Sequence, residues 1–207
     1  MNATNTSDLL SVFKERASVR NYDSSAEISK EEVAEILTYT TKAPSAWNLQ
    51  HWHFTVFKSK ESKERLLPIA FNQSQIVESS AVIAILGDLE ANKNTDQVYD
   101  PLVEAGYMTS EIKDTLAGQI DRAYTDKGFA RDAAFSNASL AAMQLMLVAK
   151  TKGYDSCAIG GFNKDLFMKE FNITNRYVPI MLISLGKAVK PAHQSNRLDL
   201  DNVSTWL

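Results

Sequence analysis

Among 207 residues the chain carries one cysteine, Cys157, and three histidines, His51, His53 and His193. A lone cysteine excludes an intrachain disulfide and fits a reducing compartment, so a cytoplasmic location is expected. Cys157 has no histidine beside it in sequence and reads as a buried bystander, not a nucleophile. His51 and His53 would share one strand face, yet no third ligand of suitable spacing follows, so no metal site is expected. The motifs His-Glu-x-x-His, Cys-x-x-Cys and Gly-x-Ser-x-Gly are all missing. So are Gly-x-Gly-x-x-Gly after a strand and the Gly-x-x-x-x-Gly-Lys-Ser/Thr loop, which removes a Rossmann dinucleotide site and a P-loop.

Charge imbalance is small as well. Lys and Arg number 22 against 25 Asp and Glu, a formal charge of -3 with no run of one sign. That pattern gives no duplex-binding surface and no attraction to an anionic membrane. No apolar stretch approaches the ~20 residues of a membrane-spanning helix. The apolar segment after residues 1–8 is too short and too soon charged for a signal-peptide core. With 44% hydrophobic and 23% charged residues the composition suits a single globular domain with a full core.

Periodicity supplies the elements. Ser7 or Asp8 caps a first helix through about residue 16, with Leu9, Val12 and Phe13 as its apolar stripe. Ser29 to Glu32 forms a capping box for a helix toward Lys42, ended by Pro44. Residues 52–57, aromatic and β-branched, read as a strand, and 61–70 as a short helix. The continuous apolar run 81–87 reads as a central strand covered on both faces. Residues 90–128 are helical pieces joined by loops and interrupted by Pro101 and Gly106. The Ala-rich stretch 130–152, stopped by Gly153, is a buried helix. A strand at 154–159, a helix at 163–171, a buried strand at 178–186 and a polar tail at 187–207 complete an α+β fold. Its mixed central sheet has about four to five strands flanked by helices.

Two segments carry chemistry. Arg16-Ala17-Ser18-Val19-Arg20 sends residues 16, 18 and 20 to one side of an extended backbone. Two guanidinium forks and a hydroxyl there make a phosphate clamp; alone the pattern is weak and more often marks a solvated basic turn. The second segment is Pro44-Ser45-Ala46-Trp47-Asn48-Leu49-Gln50-His51-Trp52. Pro44-Ser45-x-x-Asn48-x-Gln50-x-Trp52, beside Arg16-x-Ser18-x-Arg20, resembles the FMN-dependent nitroreductase family from about residue 10 to residue 200.

That resemblance implies a nitroreductase-like fold, an intertwined homodimer with two shared active sites, FMN as cofactor and NAD(P)H as electron donor. It implies phosphate binding by Arg16 and Arg197, the latter in Ser195-Asn196-Arg197, with Ala17 and Ser18 completing the clamp. Arg20 falls at the flavin's pyrimidine edge, where a cation stabilises the charge left by two-electron reduction. Asn72 and Gln75 match positions bonding that same side. Ala158, Ile159, Gly160 and Gly161 match the segment against the ring, whose backbone N–H reaches N5. Pro44, Ser45, Ala46 and Asn48 are to reach the flavin from the other subunit, and the tail 187–207 is to pack on it. His51 replaces the family's usual proline, Gln75 stands where some members have lysine, and Gly160 where some have glutamate.

The implied reaction is ping-pong hydride transfer to a nitroaromatic or quinone-type acceptor, with no catalytic side chain. Rival readings are another reaction of the family (dehydrogenase, pteridine reductase, flavin degradation), a flavin-binding or redox-responsive protein that refuses nicotinamide, and a structural dimer without cofactor. The aromatics Tyr99, Tyr107, Tyr124 and Phe129 either line a substrate channel or pack. Trp52, Phe54 and Phe57 are expected in the core.

Overall fold

The computed structural model describes residues 6–207, with side chains from residue 10 onward. Its centre is strand β2 (Ala81–Asp88), in which every residue is buried. Side chains alternate across a strand, and here both faces are covered. Ala81, Ile83 and Ile85 enter one apolar cluster with helices α2 (Lys30–Thr40) and α7 (Lys127–Thr151). Val82, Ala84 and Leu86 enter the opposite cluster with Leu66, Ile69 and Phe167. An alternating strand buried on both sides reads as a continuous apolar run, which is how it stands in the sequence.

Strands β1 (Trp52–Phe57), β3 (Asp155–Ile159) and β4 (Tyr177–Gly186) join it in the order β1-β2-β4-β3. All three pairings are antiparallel. The parallel element of the expected mixed sheet is confined to one isolated bridge, Ser18 to Ser156. Trp52 and Phe57 are buried and Phe54 packs against the core, as expected.

Helix α1 (Thr6–Glu15) begins ahead of both Ser7 and Asp8, so neither is its cap. At α2 the capping box is present in full. Ser29 Oγ accepts from the Glu32 N–H at 3.0 Å, and the Ser29 N–H donates to Glu32 Oε2 at 2.8 Å. The helix ends at Thr40, before Pro44 can act. Tyr154 donates its hydroxyl to Glu32 Oε1 at 2.7 Å, linking the start of α2 to the entry of β3.

Helices α3 (Lys60–Ile69) and α4 (Gln75–Glu78) lie between β1 and β2. Between β2 and α7 stand α5 (Thr95–Glu104) and α6 (Ser110–Tyr124). Pro101 lies inside α5 and does not interrupt it; its exposure lets solvent serve the carbonyl that its missing N–H leaves free. Gly106, at φ 74°, makes the turn between the two helices. Lys113 of α6 reaches Asp96 and Asp100 of α5 and ties the pair together. Helix α7 starts three residues earlier than its alanine pattern, because Asp126 accepts from the Gly128 N–H and caps it. Gly153, at φ 75°, stops it. Helix α8 (Lys164–Glu170), capped by Asn163, leads back to β4. Among the described residues no helix is long and apolar enough to cross a membrane.

The alanine face of α7 lets it lie close against the sheet. A Cβ added at Gly87 would stand 2.9 Å from the Ala134 carbonyl oxygen, which is backbone and cannot swing aside. Gly87→Ala must therefore push α7 from β2 and should cost about 1–3 kcal/mol, read as a melting temperature lower by about 3–10 °C. Gly118, in α6, has nothing within 4 Å of the same added atom. Gly118→Ala should hold or raise the melting temperature, since alanine favours an exposed helix by about 0.5–1 kcal/mol. Equal melting curves for the two variants would refute this packing account.

Candidate functional site

After α1 the chain turns along the outer edge of β3. The Val19 N–H donates to the Ser156 carbonyl at 3.0 Å, and Val19 is buried. Arg16 and Ser18 are left half-buried and Arg20 exposed. Beyond β4 the tail zips to the same segment. The Asp23 N–H donates to Lys187 O at 2.8 Å and the Val189 N–H to Asn21 O at 3.1 Å. Residues far apart in sequence then enclose a cavity of about 360 Å³ lined by Arg16, Ala17, Ser18, Arg20, His193, Gln194, Ser195 and Arg197. A neighbouring cavity of about 510 Å³ shares most of that wall and adds Phe13 and Lys14.

The electrostatics of this cleft are one-sided. Among the described residues its walls hold Lys14, Arg16, Arg20 and Arg197, and no carboxylate. None of these four forms a salt bridge among the described residues. Arg197 is steadied by Ser195 Oγ at 2.9 Å and the Asn196 carbonyl at 3.0 Å. Unpaired guanidinium groups around a hydroxyl are suited to a phosphate, which each fork can meet at two points. His193 in this wall was not among the expected ligands; its nearness to Ser195 in sequence was the available signal.

The segment 158–161 continues along the same edge. The Ser18–Ser156 bridge is parallel, so Arg20 and Ala158 run on in step from it. Ala158, Gly160 and Gly161 are exposed and Ile159 is buried. A Cβ at Gly160 would meet nothing within 4 Å, so its backbone faces open space. Asn72 is exposed, whereas Gln75 is buried and reaches this segment through a residue that sequence reasoning passed over. Gln73 Nε2 donates to the Gly161 carbonyl at 2.8 Å, and its Oε1 accepts from Gln75 Nε2 at 3.0 Å. Phe71 and Asn72 are both left-handed, at φ 54° and 57°, and Phe71 is 63% exposed.

Residues 44–50 do not line this cleft. They form a short 3₁₀ turn, Ala46–Asn48, in which Trp47, Asn48 and then Gln50 are left-handed at φ 50°, 54° and 53°. Each such residue costs about 1–3 kcal/mol and persists only where its surroundings hold it. Here they do. The Ala46 N–H donates to Asn137 Oδ1 at 2.8 Å, and the Gln50 N–H donates to Ser45 Oγ at 2.9 Å. Tyr99 donates its hydroxyl to the Trp47 carbonyl at 2.8 Å, and Asn94 Nδ2 donates to the Leu49 carbonyl at 2.9 Å. Pro44, Ala46 and Asn48 remain exposed. Asn48 and Gln50 line a separate cavity of about 590 Å³ with Leu37, Trp52 and Gln97.

The aromatics of 90–128 divide. Tyr99 is buried, Trp47 meets Phe129 edge-on at 6.0 Å, and Phe129 meets Tyr124 at 5.7 Å, so these three pack. Tyr107 is 84% exposed. The two neighbouring histidines do not share a strand face. His51 lies before β1, fully buried and stacked on Tyr124, whereas His53 is exposed and stacks on Tyr177. Burial lowers the His51 pKa to about 4, against an opposing pull from Asp88, and neither ring nitrogen has a partner among the described residues. Cys157 is buried, and that burial raises its thiol pKa against Arg20, a Ser18 hydrogen bond and Arg16.

A family model described as "Nitroreductase family" matches residues 13–187. "Putative NAD(P)H nitroreductase YodC" of Bacillus subtilis (strain 168) is 69% identical over 99% of this chain and 100% of its own length. "CLA biosynthesis enone reductase" of Lactiplantibacillus plantarum is 32% identical over 97% of this chain and 94% of its own. A crystal structure from Exiguobacterium sibiricum 255-15, described as a putative nitroreductase in complex with FMN, aligns with a TM-score of 0.91 at 41% identity. The alignment covers 100% of this chain and 99% of that one.

His51 makes stability depend on pH. The unfolded imidazole takes its proton near 6.5, whereas the buried one resists it down to about 4. The folded state binds fewer protons in that window, so this contribution is complete above pH 6.5 and lost as pH falls toward 4. The loss is on the order of 3 kcal/mol. His51→Phe keeps a ring against Tyr124 and removes the titration, so melting curves from pH 7 to 4 should fall less steeply than those of the parent. Identical slopes would exclude the assignment.

Proposed function

The chain belongs to the nitroreductase family, and from that premise we propose how its residues carry out FMN-dependent oxidoreduction with NAD(P)H as donor. The observation carrying the reading is the cation-lined cleft at the β3 edge, in which no described residue contributes an acid. It suits the dianionic phosphate of FMN, and the open backbone at 158–161 suits a flat ring that must approach main chain closely.

In this reading Arg16 and Arg197 hold the phosphate, Ser18 and Ser195 supply hydroxyl bonds, and Ala17 leaves room between them. Arg20 faces the pyrimidine edge and stabilises negative charge there. Asn72 and Gln75 meet the same edge with amides that both donate and accept, and Gln73 holds that turn against Gly161. Ala158, Ile159, Gly160 and Gly161 present backbone to the ring, with a main-chain N–H available at N5. When bound, FMN supplies the two-electron chemistry, accepting hydride from the nicotinamide and delivering it to an acceptor in turn. The protein orients donor and acceptor in one space and excludes a second occupant. No side chain is required as a proton donor, because water supplies that proton.

Pro44, Ser45, Ala46 and Asn48 do not line their own clamp, so we assign them to the cofactor of a second copy. The tail favours such a homodimer: Leu198, Leu200, Val203 and Trp206 are 64–82% exposed, and Leu140 and Met143 of α7 are exposed as well. Apolar side chains in that number are expected against a partner. The lone cysteine fits work in a reducing cytoplasm.

Nitroaromatic and quinone-type compounds are the proposed acceptors. Conjugated enones form a second class, favoured by the likeness to the enone reductase; like the nitro and quinone compounds they are electron-poor, and they accept hydride at carbon. Exposed Phe71 beside the ring site offers a flat acceptor an apolar surface.

The test is the visible spectrum of the FMN-loaded protein without oxygen. Adding NADPH or NADH should bleach the bound flavin band, and a quinone or nitroaromatic should restore it. A bound flavin that neither nucleotide bleaches would overturn the enzymatic reading. Arg16→Ala should weaken FMN binding about 10- to 100-fold, as expected for a charged hydrogen bond of about 1.5–3 kcal/mol.

A further inference from the structure

Asn94 sits where the loop 44–50 meets the buried end of the sheet, and its single amide makes two bonds. Nδ2 donates to the Leu49 carbonyl at 2.9 Å. Oδ1 accepts from Arg176 Nη2 at 3.0 Å. Arg176 is in turn forked onto Asp88, through Nε to Oδ1 at 2.9 Å and Nη2 to Oδ2 at 2.6 Å. Asp88, the last residue of β2, is 3% exposed, and its Oδ1 also accepts from the Glu90 N–H at 2.9 Å.

Both ends of this relay are fixed by main chain. The Leu89 N–H donates to the Arg176 carbonyl at 2.8 Å, and the Asp88 N–H to the His51 carbonyl at 3.1 Å. The loop end is the strained one: Leu49, fully buried, stands between left-handed Asn48 and left-handed Gln50. A guanidinium only donates and a carbonyl only accepts, so the group between them must do both. An asparagine amide does this, and a carboxylate or an aliphatic side chain of the same size does not.

We propose that Asn94 is a positioning residue for the flavin site: through one amide it ties the Leu49 carbonyl to half-buried Arg176, and through it to buried Asp88, and holds residues 44–50 in their cofactor-ready conformation. This rests on the assignment of Ser45, Ala46 and Asn48 to the flavin. Asn94 itself touches no cofactor. It sets the angle at which the loop leaves β1, and with it the reach of Asn48 toward the second copy. Tyr99 at Trp47 and Asn137 at Ala46 hold the amino-terminal half, and Ser45 Oγ closes the Gln50 N–H within the loop, so Asn94 supplies the side-chain contact from outside the loop to its carboxyl-terminal half.

Asn94→Asp separates the two bonds. It keeps an acceptor for Arg176 and puts an oxygen against the Leu49 carbonyl, where no hydrogen bond can form. With the FMN-loaded dimer, the dissociation constant for FMN is read from the flavin fluorescence recovered on dilution. Asn94→Asp should raise it about tenfold, the equivalent of about 1.4 kcal/mol. The melting temperature should stay within about 2 °C of the parent, because Arg176 keeps its partners. At saturating FMN, kcat should return toward the parent value. A merely structural defect would lower the active fraction and leave the FMN constant unmoved. An unchanged FMN constant in folded Asn94→Asp overturns the proposal. Should that variant melt below the assay temperature, Arg176→Lys gives the same reading: it keeps the charge on Asp88 and loses the contact to Asn94 Oδ1, and an unchanged constant there overturns the proposal equally. Arg16→Ala, measured alongside, separates the two levels. Weakened FMN binding in Arg16→Ala with none in the Asn94 variant sinks this inference alone, whereas no weakening in Arg16→Ala sinks the flavin assignment beneath it.

Discussion

The closeness of α7 to β2 is the constraint on which the rest of the structure depends. Ala134, Ala138, Ala141 and Ala142 present almost no side chain toward the sheet, so the helix settles until its backbone nearly touches Gly87. At that depth Ala138, Ala141, Leu145 and Ala149 close one core cluster with Ile83, Ile85 and Ile183. The same depth brings Asn137 within reach of the Ala46 N–H, so a packing distance becomes the position of a loop. It also places Phe129, near the start of the helix, against Trp47. Packing to crystal-like density transmits such distances because the interior has no slack to absorb a shift.

Strain collects where the chemistry is proposed. The left-handed residues other than glycine include Trp47, Asn48 and Gln50 in one loop and Phe71 and Asn72 in another. Both loops lie in segments assigned to the flavin, and both are held by side-chain amides, Asn94 and Asn137 for the first and Gln73 for the second. Amides suit this work because they bind backbone donors and acceptors without adding charge beside a ring whose charge changes during the reaction. The conformational cost is met in advance by the fold, so it is not taken from cofactor binding.

Much of this was legible in the sequence because its signals are local. Ser29 with Glu32 is a capping box within four residues, and β2 is apolar without a break because both its faces are covered. Gly153 stops α7 with the positive φ that a glycine at that place suggests. Arg16, Ser18 and Arg20 could be named because they are close in sequence, and Arg197 because a family resemblance supplied the partner that spacing alone does not. The unread features are tertiary. Pro101 is tolerated within α5 because its side of the helix is exposed, which no local rule reveals. His51 and His53 differ in burial because the strand begins between them. Asn94, Asp88 and Arg176 lie 82 to 88 positions apart where Arg176 is concerned, and nothing in their neighbourhoods marks them as one network. Gln73 was hidden by its neighbours, being one more amide between two already chosen.

The clamp and the loop together explain why cofactor and assembly should act as one equilibrium. Lys14, Arg16, Arg20 and Arg197 face one cleft to which no described residue adds a carboxylate, so their mutual repulsion is relieved when an anion enters. An anion that binds only the folded form stabilises it by mass action, in proportion to the logarithm of its concentration over its dissociation constant. In the proposed dimer, residues 44–50 meet that anion's ring from the second copy, and the exposed apolar tail crosses with them. Each bound cofactor then adds to the free energy of association, and each association completes a cofactor site. Such linkage is reciprocal by thermodynamic necessity. In that proposed dimer, a strained loop and a cation cleft lined by different parts of one chain would couple the two events through geometry alone.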